Sequence, residues 1–172
     1  FELYAGSSLE DLVKQLAKRF GHGGHIPEWV YHGAILGLKR GMERNLEIVE
    51  QAIAAGVQVS GLWSEDWCGL RHTSFGARLF WDWQWNEKRY PELPERIKEL
   101  RARGIRFLAY NNPYLCSDGP LFKEAAEQGV LTRNPDGSLC TIDFGEFDCG
   151  FVDFTSEEGR RWYKERIIKQ SM

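Results

Sequence analysis

The stretch SEDWCGLRHTSFGARLFWDW, residues 64 to 83, sets Arg78 three positions before Trp81 and opens on an acidic pair, Glu65 and Asp66. A guanidinium presents a planar fork of donors that matches an oxyanion, and an indole N–H beside it adds a neutral donor that Phe lacks. Indole faces also stack on the apolar faces of pyranose rings. Carboxylates and cations serve the hydroxyls and any anionic substituent, each charge-assisted hydrogen bond contributing about 1.5–3 kcal/mol. Together these side chains are equipment for binding an anionic sugar. The competing reading packs Trp63, Trp67, Trp81, Trp83 and Trp85 into a loop subdomain and leaves Glu65 and Asp66 as solvated charges. Trp at 81, 83 and 85 alternates like one face of a strand, so some of these rings are structural on either reading. Lys39, in GLKRG, is a further candidate cation, or else an ordinary turn residue pairing a surface carboxylate for under about 1 kcal/mol.

The elements that must position these residues follow a repeated pattern of helix, glycine, strand. Met42, Leu46, Val49 and Ile53 share a helical face, Gly56 stops that helix, and Val57 and Val59 begin an alternating strand. Leu93, Ile97 and Leu100 repeat the face, with Gly104 as the stop and Ile105 and Phe107 on the strand that follows. A shorter helix in GPLFKEAAEQG also stops at a glycine, Gly129. WVYHGAILGL is a nearly continuous apolar run of the kind a buried parallel strand shows. The expected strands therefore cover residues 30 to 38, 57 to 63 and 105 to 110. NPDG, from Asn134 to Gly137, reads as a turn before short strand pieces, and Thr155 with Glu158 reads as a capping box opening a last helix.

The expected fold class is α/β: the N-terminal part of a (β/α)8 TIM barrel with about three strand–helix units, against the eight units and about 250 residues of a closed barrel. No G-x-G-x-x-G follows the first strand, which argues against a doubly wound nucleotide-binding sheet. The last helix meets no stop signal, so the chain reads as truncated, with residues 1–28 as a lead-in helix and linker and residues 29–172 as the partial barrel. An arc of three parallel strands leaves long edges and one face uncovered, and poor solubility is expected of it in isolation.

Net charge of −3 leaves no basic footprint for nucleic acid, and no run of eighteen apolar residues suggests a membrane span. The N-terminus carries no secretion signal. Cys68, Cys116, Cys140 and Cys149 show no C-x-x-C and no partnered histidine spacing, which points to reduced thiols in a cytoplasm rather than a zinc site or disulfide framework. His22 and His25 lie among glycines without a third ligand and read as a loop. Asn111 and Asn112 either face a pocket or hold the turn before Pro113. Asp148 and Asp153 are not taken as catalytic carboxylates, and no metal or cofactor is expected.

GLWSEDWCGLRHTSFGARLFWDW, FLAYNNPYLCSD and FGEFDCGFVDFTSEEGRRWYKE together resemble the sulfoquinovosidase branch of the family 31 glycoside hydrolases, from about Trp29 onward. The resemblance implies a retaining α-glycosidase acting on glycosides of sulfoquinovose, a 6-sulfonated glucose, with an Asp nucleophile and a second Asp as acid then base. It places that nucleophile beyond Met172, so no catalytic residue is expected within these 172 positions. The family holds the sulfonate through a set whose commoner form is Gln, Gln, Arg, Trp and Tyr. Arg78 and Trp81 match the third and fourth members, and the fifth falls beyond Met172. Lys39 and Glu65 stand where the two Gln would be. A carboxylate alone beside a sulfonate costs on the order of 1 to 4 kcal/mol at 4 Å. Lys39 offsets that cost, so Lys39, Glu65, Arg78 and Trp81 make sense as a variant set. The expected partner is a small-molecule sugar with a sulfonate group, with neither nucleic acid nor membrane. The alternatives are a non-catalytic fragment that binds an anionic sugar, and a family 31 α-glucosidase or α-xylosidase.

Overall fold

The computed structural model describes residues 1–21 and 23–169. Helix α1 (Leu9–Phe20) is capped by Ser8, whose Oγ accepts from the Asp11 amide at 3.1 Å, and its apolar side chains Leu9, Val13, Leu16 and Phe20 stay exposed. Strand β1 (Ala34–Leu38) starts later than the apolar run suggests, because Glu28–Tyr31 close a 3-10 turn first. Helix α2 (Met42–Ala54) buries Met42, Asn45 and Val49, and β2 (Val59–Ser64) follows it. Helix α3 (Leu93–Ala102) and β5 (Arg106–Ala109) repeat the unit after a long excursion. Gly56 and Gly104 adopt φ of 84° and 80°, the left-handed conformation that ends each helix without a Cβ penalty.

The three strands form one parallel sheet in the order β1–β2–β5, with Leu36 opposite Leu62 and Leu62 opposite Phe107. Val49 and Leu100 from the helices pack on Leu62 and Ile105, closing one face. The other face is uncovered, and Ile35 and Trp63 remain 39% and 40% exposed on the strands.

A second and larger core lies beyond the C-terminal strand ends, built from Trp67, Trp83, Tyr90, Leu115, Leu121, Val152, Trp162 and Ile167 among others. It supports an antiparallel hairpin of β3 (Leu70–Thr73) and β4 (Gly76–Leu79). It also supports a small sheet in the order β6–β8–β7, from β6 (Tyr114–Cys116), β7 (Thr141–Asp143) and β8 (Asp148–Phe151). Helix α4 (Pro120–Glu127) and helix α5 (Glu157–Tyr163), which continues as a π-turn over Lys164–Ile168, pack beneath it.

Two local expectations fail here. Trp81, Trp83 and Trp85 do not share a strand face: Trp83 has φ of 43° and is fully buried, while Trp85 is exposed. Three separate carbonyls fix the nearby indoles, since Trp67 donates to Tyr110 O, Trp83 to Tyr114 O and Trp85 to Tyr90 O at 2.7–2.8 Å. The cap of α5 is Ser156, whose Oγ accepts from the Gly159 amide at 2.9 Å, and not Thr155. Asp153 engages the Thr155 hydroxyl and amide at 2.6 and 2.9 Å, which withdraws that residue from capping.

Candidate functional site

Strands β1 and β2 end in register, with Leu38 opposite Ser64, so the next residues, Lys39 and Glu65, emerge side by side at the C-terminal edge of the sheet. The Glu65 amide donates to Leu38 O at 3.2 Å and ties the two loops together. Asp66 reinforces the tie from below. It is fully buried, so the solvated-charge reading is wrong for this residue. Its carboxylate accepts from the Gly41 amide at 3.2 Å, from Arg89 Nε at 2.5 Å and from the Tyr90 hydroxyl. Asn45 donates to Tyr90 Oη at 3.0 Å and to Ser64 Oγ at 3.3 Å. Arg89 also reaches Lys39 O at 3.4 Å. A buried charge persists only when paired and hydrogen-bonded in this way, and here the pairing fixes the two loops that carry Lys39 and Glu65.

Arg78 lies on β4, directly opposite Arg71 on β3. Arg71 has a counter-charge in Asp118 at 2.7 Å, and its guanidinium lies over the rings of Phe80 and Phe147, 4.8 and 4.4 Å from their centroids. Trp81 stacks on Tyr114 at 5.4 Å and meets the edges of Phe144 and Phe147 at 5.0 and 6.1 Å. The hairpin tip is joined to the β7–β8 turn where Glu146 accepts from the Ser74 amide at 2.7 Å and from its hydroxyl.

These pieces enclose a cavity of about 360 Å³ lined by Lys39, Glu65, Ala77, Arg78, Leu79, Trp81, Phe144 and Phe147. All four residues singled out from the sequence are on its wall. Among the described residues their side chains make no hydrogen bond. Trp81 Nε1 is buried with no partner among the described residues. Within the described residues no ion pair involves Lys39, Glu65 or Arg78, so Lys39 and Glu65 do not neutralise one another by contact. Two cations and one carboxylate leave the wall with one net positive charge, set against three aromatic rings. That combination can hold an anionic group at one end of a ligand and stack on an apolar face.

Phe144 and Phe147 escape a reading of the sequence because no spacing rule aims a turn residue at a site more than sixty positions away. A larger hollow of about 800 Å³, between Tyr31, Val57, Ser60 and Arg103, opens at the N-terminal end of the strands. Its one guanidinium is already engaged with Glu50 at 2.6 Å, which leaves it no comparable chemistry. Asn112 Oδ1 accepts from the Tyr114 amide at 2.8 Å, so this residue holds the turn around Pro113. Asp153 serves its own turn. His22 lies outside the described residues, and among those described no three His, Cys, Asp or Glu side chains cluster to hold a metal. No helix among them is long and apolar enough to cross a membrane.

The family model for the glycosyl hydrolases family 31 TIM-barrel domain matches residues 15–172. A sulfoquinovosidase from Agrobacterium fabrum is 54% identical over 171 residues, which is 99% of this chain and 26% of that protein. One from Escherichia coli is 42% identical over 161 residues, 94% of this chain and 24% of the relative. Among solved structures, a GH31 family sulfoquinovosidase from E. rectale in complex with an aza-sugar inhibitor superposes with a TM-score of 0.86 at 46% identity, covering 93% of this chain and 24% of that one. The chain thus spans about a quarter of the length of the relatives it matches. With a parallel β/α sheet, a loop site beyond its C-terminal edge and a family match over residues 15–172, the chain belongs to glycosyl hydrolase family 31, as part of its TIM-barrel domain.

Proposed function

We propose that this cavity receives the sulfonate of a sugar, and that the whole protein is a retaining glycosidase hydrolysing α-glycosides of sulfoquinovose. The observation that carries the reading is the convergence of four polar side chains with no partner among the described residues: Lys39, Glu65, Arg78 and the buried Trp81 Nε1. An anion accepts from the Arg78 fork, the Lys39 ammonium and the indole N–H, each charged contact contributing about 1.5–3 kcal/mol. Glu65 makes no hydrogen bond or ion pair through its side chain among the described residues, and is suited to accept from a sugar hydroxyl. Its repulsion of the sulfonate, on the order of 1 to 4 kcal/mol at 4 Å, is offset by Lys39 emerging beside it. The names of the two curated relatives support the same substrate.

These residues bind and orient; none of them is proposed to break a bond. Holding the sulfonate end fixes the anomeric carbon against whatever carboxylates perform the chemistry, and binding energy gained there is available to the transition state. A retaining mechanism requires two such carboxyl groups about 5–5.5 Å apart. We assign residues 1–28 to a lead-in preceding the barrel segment 29–172, since no described residue among them is buried. Four free cysteines favour a cytoplasmic location.

The test is hydrolysis of a sulfoquinovoside and the matching plain glucoside by the whole protein and by its Arg78→Lys variant. Lysine keeps the charge and removes the fork, so the preference for the sulfonated substrate is expected to collapse. A parent protein that treats both substrates alike overturns the proposal.

A further inference from the structure

We propose that Arg71 is a specificity-determining residue of this cavity: a second cation set one ring behind its wall, whose charge Asp118 moderates. The inference rests on the reading of the cavity as an anion site.

Arg71 and Arg78 face each other across the β3–β4 hairpin, and directly opposed residues point to the same side of the ribbon. Like charges so placed destabilise a hairpin unless something compensates them. Among the described residues one carboxylate forms an ion pair with either arginine: Asp118, which engages Arg71. Arg78 makes no ion pair among the described residues, so its charge on this face is not matched by contact. Arg71 is also the better sheltered member of its pair, with a side chain 16% exposed against 60% for Asp118. Solvent therefore screens the carboxylate more than the guanidinium. Its Nε is buried without a partner among the described residues, and Phe147, over whose ring its guanidinium lies at 4.4 Å, lines the cavity. The positive field of Arg71 thus reaches the cavity through a single aromatic ring, while Asp118 attenuates it from the solvent side.

This arrangement separates an electrostatic role from a structural one. If the pair only braces the hairpin, removing either partner loosens the site in the same way. If its charge sets ligand choice, the two removals act in opposite directions on an anion and leave a neutral sugar alone. A unit charge about 8 Å from the anion changes its binding roughly 2-fold at the dielectric of water and roughly 30-fold at the lower effective dielectric near a protein surface.

The experiment measures the dissociation constants of sulfoquinovose and glucose by calorimetry on the whole protein, at low and high salt. Arg71→Met, which keeps an apolar stem on Phe80 and Phe147, is expected to weaken sulfoquinovose by roughly 2- to 30-fold and leave glucose unchanged. Asp118→Asn is expected to tighten sulfoquinovose by a smaller factor, and Arg71→Lys to restore most of the loss. Both charge effects shrink at high salt. Variants that shift both sugars equally, or Arg71→Met and Asp118→Asn moving sulfoquinovose in the same direction, overturn the inference. Should Arg71→Met fail to fold, the exposed Asp118→Asn decides alone, because an unchanged or weakened affinity contradicts it. A parent protein with no preference for sulfoquinovose defeats the anion-site reading itself; a parent with that preference and same-direction variants defeats only the role of Arg71.

Discussion

Replacing Trp81 by Phe separates the stability of this site from its affinity, because the two respond to the same N–H with opposite sign. Without ligand, Trp81 Nε1 is a buried donor with no partner among the described residues, a situation that costs about 1–3 kcal/mol. Trp81→Phe removes that cost. It also trims a ring packed between Tyr114, Phe144 and Phe147, which loses about 1–2 kcal/mol of contact and leaves a small void. The two terms nearly cancel, so urea unfolding of the variant is expected to fall within about 1 kcal/mol of the parent. With ligand bound, the indole donates to a charged acceptor, a bond of about 1.5–3 kcal/mol that Phe cannot make. The dissociation constant for sulfoquinovose should therefore rise about 10- to 150-fold with stability unchanged. Calorimetry on the same preparations reads the affinity. A variant that binds within twofold of the parent, or that loses stability and affinity in proportion, refutes the reasoning.

Two further outcomes follow from the surroundings of the site. Asp66→Ala strands Arg89, the Tyr90 hydroxyl and the Gly41 amide without their acceptor, and the buried-pair penalty predicts a loss of about 3–5 kcal/mol in denaturant unfolding. Glu124 accepts from Arg166 at 2.6 and 2.7 Å and from Trp162 Nε1 at 3.0 Å, and the Arg166 contact above all holds its carboxyl below the ordinary value of 4.5. A carboxyl depressed on folding stabilises the protein above its unfolded value and loses that contribution as pH falls through the folded one. The melting temperature should thus drop below about pH 4.5, and Glu124→Gln should flatten that acid limb while lowering the neutral-pH value.

The β/α framework was legible because its signals are local. The 3.6-residue face of Met42, Val49 and their neighbours, the stop at Gly56 and the period-2 run after it are each written within a few positions. The loop subdomain carries no comparable local code. LRHT and GARL form a hairpin although neither alternates, and β6 and β7 are three residues long, too short for periodicity to register. Alternation misled at Trp81–Trp85, where Trp83 and Trp85 donate to different backbone carbonyls while the Trp81 N–H has no partner among the described residues. Glu65 and Asp66 show the limit most plainly. These adjacent carboxylates differ in that one lines the cavity and the other is buried, and the difference is made by Arg89 and Tyr90, more than twenty positions away. Lys39, Glu65, Arg78 and Trp81 are legible as a group only through family resemblance, since three separate elements bring them to one cavity. Phe144 and Phe147 complete its wall from a turn whose fold position only tertiary structure reveals.

The most direct test of a sulfonate site here is a crystal structure of the whole protein with sulfoquinovose bound. The account predicts the sulfonate between Arg78, Lys39 and Trp81, with its oxygens about 2.7–3.2 Å from the guanidinium and from the indole nitrogen. A sugar lying in the cavity with its sulfonate turned to solvent, or bound elsewhere altogether, contradicts it.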